Sequence, residues 1–171
     1  TKIPDSVDLE SAAFTTLGAI AMHGFRLAKP QFSEKVAVIG MGLLGLLAAS
    51  IARAAGCDVL GIDVNPARLE LAHQMGFKAV ARADAEQTST AFTANQGFDI
   101  VLICADTPSN DTVELAGTIS RDRATVVAIG AVGLDLPRKI YYEKELAFLI
   151  SRSYGPGRYD PNYEEKGIDY P

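Results

Sequence analysis

The sequence concentrates its most specific chemical signal in three glycines and one acid. Gly40-Met41-Gly42-Leu43-Leu44-Gly45 follows the β-prone run Val36-Ala37-Val38-Ile39, and Asp63 ends a second apolar run 18 positions after Gly45. Each glycine answers a need of a chain that must pass close to a phosphate. Gly40 allows the tight turn off the strand, Gly42 lacks the Cβ that would hold a pyrophosphate away from the backbone, and Gly45 lets a helix lie close against a sheet. The unpaired N–H groups at the helix start, around Leu43 and Leu44, then face the phosphates with the help of the helix dipole. A carboxylate at Asp63 accepts bonds from the 2′- and 3′-hydroxyls of a ribose and repels the extra phosphate of NADP. The spacing predicts a dinucleotide site, with NAD as the expected cofactor and NADP disfavoured.

Ligands of open α/β sheets lie outside the carboxyl ends of the strands. That rule adds Val64 after the second strand, Ala105 and Asp106 after the fourth, and Gly130, Ala131 and Val132 after the fifth, at the expected nicotinamide end. Arg68 has two readings: it receives a 2′-phosphate or covers the adenine, or it is a solvated first-turn arginine. No paired acid and base, metal cluster or nucleophile stands near the expected nicotinamide end, so no catalytic residue and no metal ligand is assigned.

These residues need a scaffold, and the hydrophobic pattern supplies one. Val36 to Ile39 reads as a strand, Leu43 to Ala55 as a helix apolar on nearly every face, Gly56 as its C′ stop, and Cys57 to Ile62 as a second strand. Asn65-Pro66 is an N-cap with proline at the first helical position, opening a helix over Ala67 to Met75 that Gly76 ends. Phe77 to Ala81 is the third strand, Ala83 to Gln96 a weak polar helix, and "FDIVLICA", Phe98 to Ala105, a strand of the kind buried on both faces. Ser109 to Ile119 follows as helix, Ala124 to Gly130 as the fifth strand and Leu146 to Ser151 as the sixth. Six strands alternating mostly with helices predict a doubly wound, Rossmann-type parallel sheet of order 3-2-1-4-5-6.

Composition closes off other classes. The 171 residues are 48% hydrophobic and 22% charged, which suits one globular domain with a sizeable core. A formal net charge of −5 leaves no basic footprint for nucleic acid or an anionic membrane. The uncharged run before Arg53 touches the lower limit of a membrane span, but Gly40-Met41-Gly42 breaks any single helix through it. Cys57 and Cys104 lie in apolar runs without metal-site spacing, so both read as core residues in a reducing compartment, and the cytoplasm is the expected location. "TKIPDSVDLE" is not a signal peptide and reads like the middle of a longer protein. Residues 1–30 are expected to form a lead-in helical segment, 31–153 the dinucleotide-binding domain and 154–171 a tyrosine-rich tail.

Three segments carry a resemblance: "AAFTTLGAIAMHGFR", "VAVIGMGLLGLLAASIARAAGCDVLGIDVNPARLELAHQMGF" and "YYEKELAFLISRSYG". Over about Ile3 to Tyr154 the chain resembles the cofactor half of the medium-chain dehydrogenase/reductase superfamily, the zinc-type alcohol dehydrogenases. The resemblance implies hydride exchange between a nicotinamide and an alcohol or carbonyl substrate. It also implies a separate GroES-like catalytic domain, absent from this chain, that supplies most zinc ligands and the proton relay. Zinc-dependent members carry a Cys, Asp or Glu just before the lead-in helix, where this sequence has Thr16, or Thr15 in the alternative alignment. A neutral hydroxyl is a poor zinc ligand, so zinc is not expected in this chain. The tail "SRSYGPGRYDPNYEEKGIDYP" resembles two-part bacterial oxidoreductases with a glucose-fructose-oxidoreductase-like half, which implies sugar-linked chemistry. The isolated chain is expected to bind cofactor and catalyse nothing.

The remaining candidates have plain structural readings beside functional ones. His23 lines the cleft or is a helix-surface or satisfied core histidine; His73 is expected to be solvated. Cys104 sits at a strand end, with nothing nearby in sequence to lower its pKa. Tyr154, Tyr159, Tyr163 and Tyr170 form a partner surface or pack on the missing domain. Two other functions stay open: a non-catalytic nicotinamide-sensing or structural module, and an S-adenosylmethionine-dependent methyltransferase. Leu146 to Ile150 is an apolar edge strand without lysine, proline or bulge. It is expected to pair with a second copy in a homodimer, unless the tail covers it.

Overall fold

Val36 to Ile39 is apolar throughout and Phe98 to Ile103 nearly so, and such strands must be covered on both faces. In the computed structural model, which describes residues 3–166, they are the two central strands of a parallel sheet. In chain order the elements are α1 (Leu9–Ala13), α2 (Thr15–Leu27), β1 (Lys35–Ile39), α3 (Leu43–Ala54), β2 (Asp58–Asp63), α4 (Pro66–Gln74), β3 (Lys78–Ala81) and α5 (Ala85–Phe92). There follow β4 (Phe98–Ile103), α6 (Asp111–Ile119), β5 (Ser120–Ala128), α7 (Arg138–Glu143), β6 (Ala147–Ile150) and α8 (Pro161–Glu164). The sheet order is β3-β2-β1-β4-β5-β6 with every pairing parallel, as the alternation of patterns predicts.

Alternate side chains of the central strands feed two cores. Val36, Val38, Ile100, Leu102 and Val127 face α2, α3 and α4, where small residues (Ala48, Ala49, Ala52, Ala72) let the helices approach. Ala37, Ile39, Val101, Ile103 and Val126 face α5, α6 and Tyr141 of α7. Each fully buried Val, Leu or Ile stabilises the fold by about 1.5–3 kcal/mol. The Tyr141 hydroxyl, carried into this second core, donates to the Val113 carbonyl at 2.9 Å. Three cations cap helix carboxyl ends at the foot of the sheet. Arg53 donates to Met75 O after α4, Lys35 to Phe92 O of α5, and Lys144 to Gly117 O, Thr118 O and Ser120 O around the end of α6.

The departures from the sequence reading have local causes. β5 begins at Ser120, straight out of α6, rather than at Ala124, and ends at Ala128 before Gly130. The polar run Arg121-Asp122-Arg123 hides this start because its pairing is irregular, with a register shift between Phe98 and Ile100. Arg121 there holds Asp99, the charged residue inside "FDIVLICA", at 2.6 Å, and Asp99 also accepts the Lys35 amide. The weak helix over Ala83 to Gln96 is a 3₁₀ turn at Arg82–Asp84 followed by the shorter α5. The short helices α7 and α8 carry too few apolar positions for a periodic signal.

The edge strand is not apolar-buried on both sides. Phe148 packs edge-on to Tyr141 with ring centroids 6.0 Å apart, while Ile150 is 63% exposed. The described part of the tail turns back toward α2, where Tyr154, Pro156 and Tyr163 share a cavity of about 350 Å³ with Met22 and His23. Tyr159 lies under Arg152, 4.9 Å from its guanidinium carbon. Tyr170 lies outside the described residues.

Candidate functional site

The glycine turn is built as its spacing requires. Gly40 has φ +96°, a conformation that side chains resist, and its amide donates to Ile62 O of β2. A Cβ on Gly45 would stand 1.8 Å from the Gly40 carbonyl oxygen, so α3 touches the turn there. Gly42 differs: a Cβ would meet nothing closer than the Arg68 guanidinium carbon at 3.9 Å. Gly42 therefore faces open space, as N-cap of α3 without a side chain to bond the first-turn amides. Leu43 is half exposed there, whereas Leu44 leans on the core.

Asp63 is the electrostatic centre. It is buried; Oδ2 accepts the Met41 amide at 2.6 Å and Oδ1 the Asn65 amide at 2.8 Å, and Arg68 Nη1 lies 3.7 Å from Oδ2. A carboxylate has roughly four acceptor positions, so acceptor capacity remains after these bonds. Arg68 is thus neither a free solvated side chain nor fully engaged.

A cleft of about 260 Å³ opens at the carboxyl ends of β1, β2 and β4, and six of the expected residues line it: Gly40, Asp63, Val64, Arg68, Ala105 and Asp106. Gly42 adjoins it through Arg68, while Leu43, Leu44 and Gly45 belong to the helix start. Gly130, Ala131 and Val132 are not on its wall. They run beside the β4 loop, where the Gly130 amide donates to Ile103 O, Thr107 N to Ala131 O, and Thr107 bridges Val132. A larger cavity of about 600 Å³ lies at the opposite, amino-terminal end of the strands, where Lys144 and Arg121 are already spent on carbonyls and Asp99.

Sequence reasoning missed Arg82, Thr107, Ser109, Asp111 and Thr112, which line the cleft wall together with Ile39 and Ile62 at the ends of β1 and β2. Arg82 and Asp111 form a two-pronged ion pair, and the hydrogen bond to Asp111 holds the guanidinium pKa above its ordinary value. Strand order contains a signal for Arg82: Ala81 pairs with Asp63, so the next residue must emerge beside Val64. No comparable signal marks Asp111.

Other candidates settle into packing. His23 is half-buried against Gly155, and burial, then Arg26, lowers its pKa. His73 is exposed but not merely solvated, since Nε2 lies 2.8 Å from Ala79 O. Cys57 is buried; Cys104 is partly buried, and burial of its thiol pushes the pKa up to about 12. Among the described residues no three His, Cys, Asp or Glu side chains converge as a metal site. Thr15 and Thr16 open α2 on the surface, and Thr15 Oγ1 donates to Ala12 O. These residues do not fit a zinc ion.

A doubly wound sheet with a glycine turn, an acid at the end of β2 and a cleft above the strands defines a Rossmann-type α/β protein. The chain belongs to the zinc-binding dehydrogenase family, whose sequence profile matches residues 44–165. It is 29% identical over 163 residues to 2-dehydro-3-deoxy-L-galactonate 5-dehydrogenase of Pseudoalteromonas atlantica, covering 93% of this chain and 47% of that one. It is 28% identical to sorbitol dehydrogenase of Bacillus subtilis, covering 98% and 47% respectively. The crystal structure of galactitol-1-phosphate dehydrogenase from Escherichia coli superposes with a TM-score of 0.76 at 28% identity, over 88% of this chain and 46% of that one. The chain spans about half the length of the curated relatives it matches. Family membership sets aside the methyltransferase reading. Among the described residues no helix is long and apolar enough to cross a membrane.

Proposed function

We propose that this chain is the NAD-binding part of an oxidoreductase acting on an alcohol or carbonyl of a polyol or sugar derivative. The observation that carries the reading is the meeting of Gly40, Asp63, Val64, Arg68, Ala105 and Asp106 in one cleft beside the open position at Gly42. The open Gly42 backbone and the first-turn amides of α3 receive the pyrophosphate, and Asp63 accepts the ribose hydroxyls. Val64, 78% exposed, offers an apolar face to the adenine. Gly130 to Val132, after β5, flank the nicotinamide. Bound there, the nicotinamide supplies hydride exchange with the substrate carbon. The substrate groups come from outside residues 1–171, as the family's architecture implies. The names of the relatives, a sugar-acid dehydrogenase and a polyol dehydrogenase, favour a polyhydroxylated substrate.

NAD is favoured over NADP because Asp63 is buried and ion-paired beside the ribose position. In the same reading the protein is a homodimer, joined along β6, and works in the cytoplasm. Calorimetric titration of the chain with NAD and NADP tests the core of the reading. Saturable binding with NAD tighter is the expected result, without turnover of alcohols or aldehydes by the chain alone. Absence of binding at millimolar NAD overturns it.

A further inference from the structure

Two arginines stand at the cleft, and acids hold them differently. β3 runs beside β2 with Ala81 opposite Asp63, so Arg82 is the first residue past the sheet next to Val64. Its Nε donates to Asp111 Oδ2 at 2.8 Å and its Nη2 to Asp111 Oδ1 at 2.6 Å. This is the fork geometry of the strongest arginine–carboxylate pairs. Glu86 lies 3.9 Å from Nη1, adding a third acidic oxygen. Arg68 reaches Asp63 only through one nitrogen at 3.7 Å, and its side chain is 53% exposed. Asp111 is placed independently of Arg82, since it opens α6 and its amide donates to Ser109 Oγ at 3.1 Å.

We propose that Asp111 is a specificity-determining residue: by occupying Arg82 it withholds the second guanidinium that a ribose 2′-phosphate would need, and so favours NAD over NADP. The inference rests on the dinucleotide reading above and deepens it. A phosphate monoester carries close to two negative charges at neutral pH and is best recognised by forked arginines. The charged side chains lining the cleft are Asp63, Asp106 and Asp111 against Arg68 and Arg82, an excess of one negative charge. Replacing the Asp111 carboxylate by an amide balances that count and releases one prong of the Arg82 fork, one strand away from Asp63. The adenine and the 2′,3′-diol need neither change, so NAD has little to gain.

The test is calorimetric titration of the full chain with NAD, NADP and 2′,5′-ADP. The unmodified chain should bind NAD more tightly than NADP. Asp111→Asn should raise affinity for NADP and 2′,5′-ADP about tenfold relative to NAD, the worth of one charge-assisted hydrogen bond. Asp111→Ser, which suits a helix first turn, should reproduce the gain if the asparagine variant folds poorly. The double variant Asp111→Asn/Arg82→Gln should lose it, an outcome that a merely structural role for Asp111 does not produce. Equal binding of NADP and NAD by the unmodified chain overturns the proposal. An unchanged ratio in both Asp111 variants, or a gain that survives removal of Arg82, does the same while leaving the dinucleotide reading intact. A chain that binds no dinucleotide overturns both.

Discussion

The Asp63 carboxylate and the Met41 amide, 22 residues apart in sequence, meet at 2.6 Å. Through this bond the acid that ends β2 fastens the middle of the glycine turn after β1, and its other oxygen fixes Asn65 at the start of α4. The residue expected to read the ribose is therefore also a clamp on the glycine turn.

Removing the clamp should have two consequences. Asp63→Ser should weaken NAD binding about tenfold or more and narrow the preference over NADP, since charge-assisted hydrogen bonds are worth about 1.5–3 kcal/mol each. It should also lower folding stability by about 1–3 kcal/mol, because the buried Met41 amide loses its acceptor. Calorimetry and urea denaturation read the two effects separately. Unchanged NAD affinity would remove Asp63 from the cofactor site.

Gly42 and Gly45 should separate binding from folding. At Gly45 a Cβ would lie 1.8 Å from the Gly40 oxygen, so Gly45→Ala must push α3 off the sheet and should cost about 1–3 kcal/mol. At Gly42 the space is open, so Gly42→Ala should keep the melting temperature and lose NAD binding as the methyl displaces the pyrophosphate. Thermal melts and titrations of both variants check this, and a Gly42→Ala variant that binds NAD normally would contradict the placement.

Cys104 should be inert in the native protein. Burial pushes its pKa from the ordinary 9.0 up to about 12, so native and unfolded thiols ionise over different ranges. The unfolded state loses its proton as pH rises through 9.0 while the native state keeps it. Native stability should therefore fall between pH 9 and 12 by the contribution of this group, a fall that Cys104→Ser removes. Thiol labelling at neutral pH should report Cys104 only after denaturation; rapid native labelling would refute its burial.

The outer edge of β6 is the expected dimer seam. Phe148 is covered from one face, whereas Leu149 and Ile150 are 36% and 63% exposed, and no described strand pairs with that edge. Light scattering at tens of micromolar should report a dimer. Leu149→Lys, a charge that natural sheet edges use against pairing, should give a folded monomer. A monomeric unmodified chain would leave the seam without a partner copy.

Much of this protein is legible along the chain because its signals are local. Val36 to Ile39 must be buried on both faces, Gly40 must turn, Asn65-Pro66 must start a helix, and parallel strands need helical crossovers. Those constraints determined the sheet order, the glycine turn and Asp63 at the end of β2, and the structure has all three. Strand ends were harder to read: β5 starts at Ser120 and runs through the polar Arg121-Asp122-Arg123, where Arg121 is held by Asp99 of the neighbouring strand.

What only the tertiary structure decided are the contacts between segments distant in sequence. Asp63 bonds the Met41 amide because β1 and β2 lie side by side in register. Arg82 reaches Asp111, 29 residues away in the chain, because the turn after β3 and the start of α6 both open onto the cleft at the carboxyl ends of the strands. Side-chain charge is written in the sequence, but the partner that holds it depends on distance in space, and the packing of the two cores sets that distance.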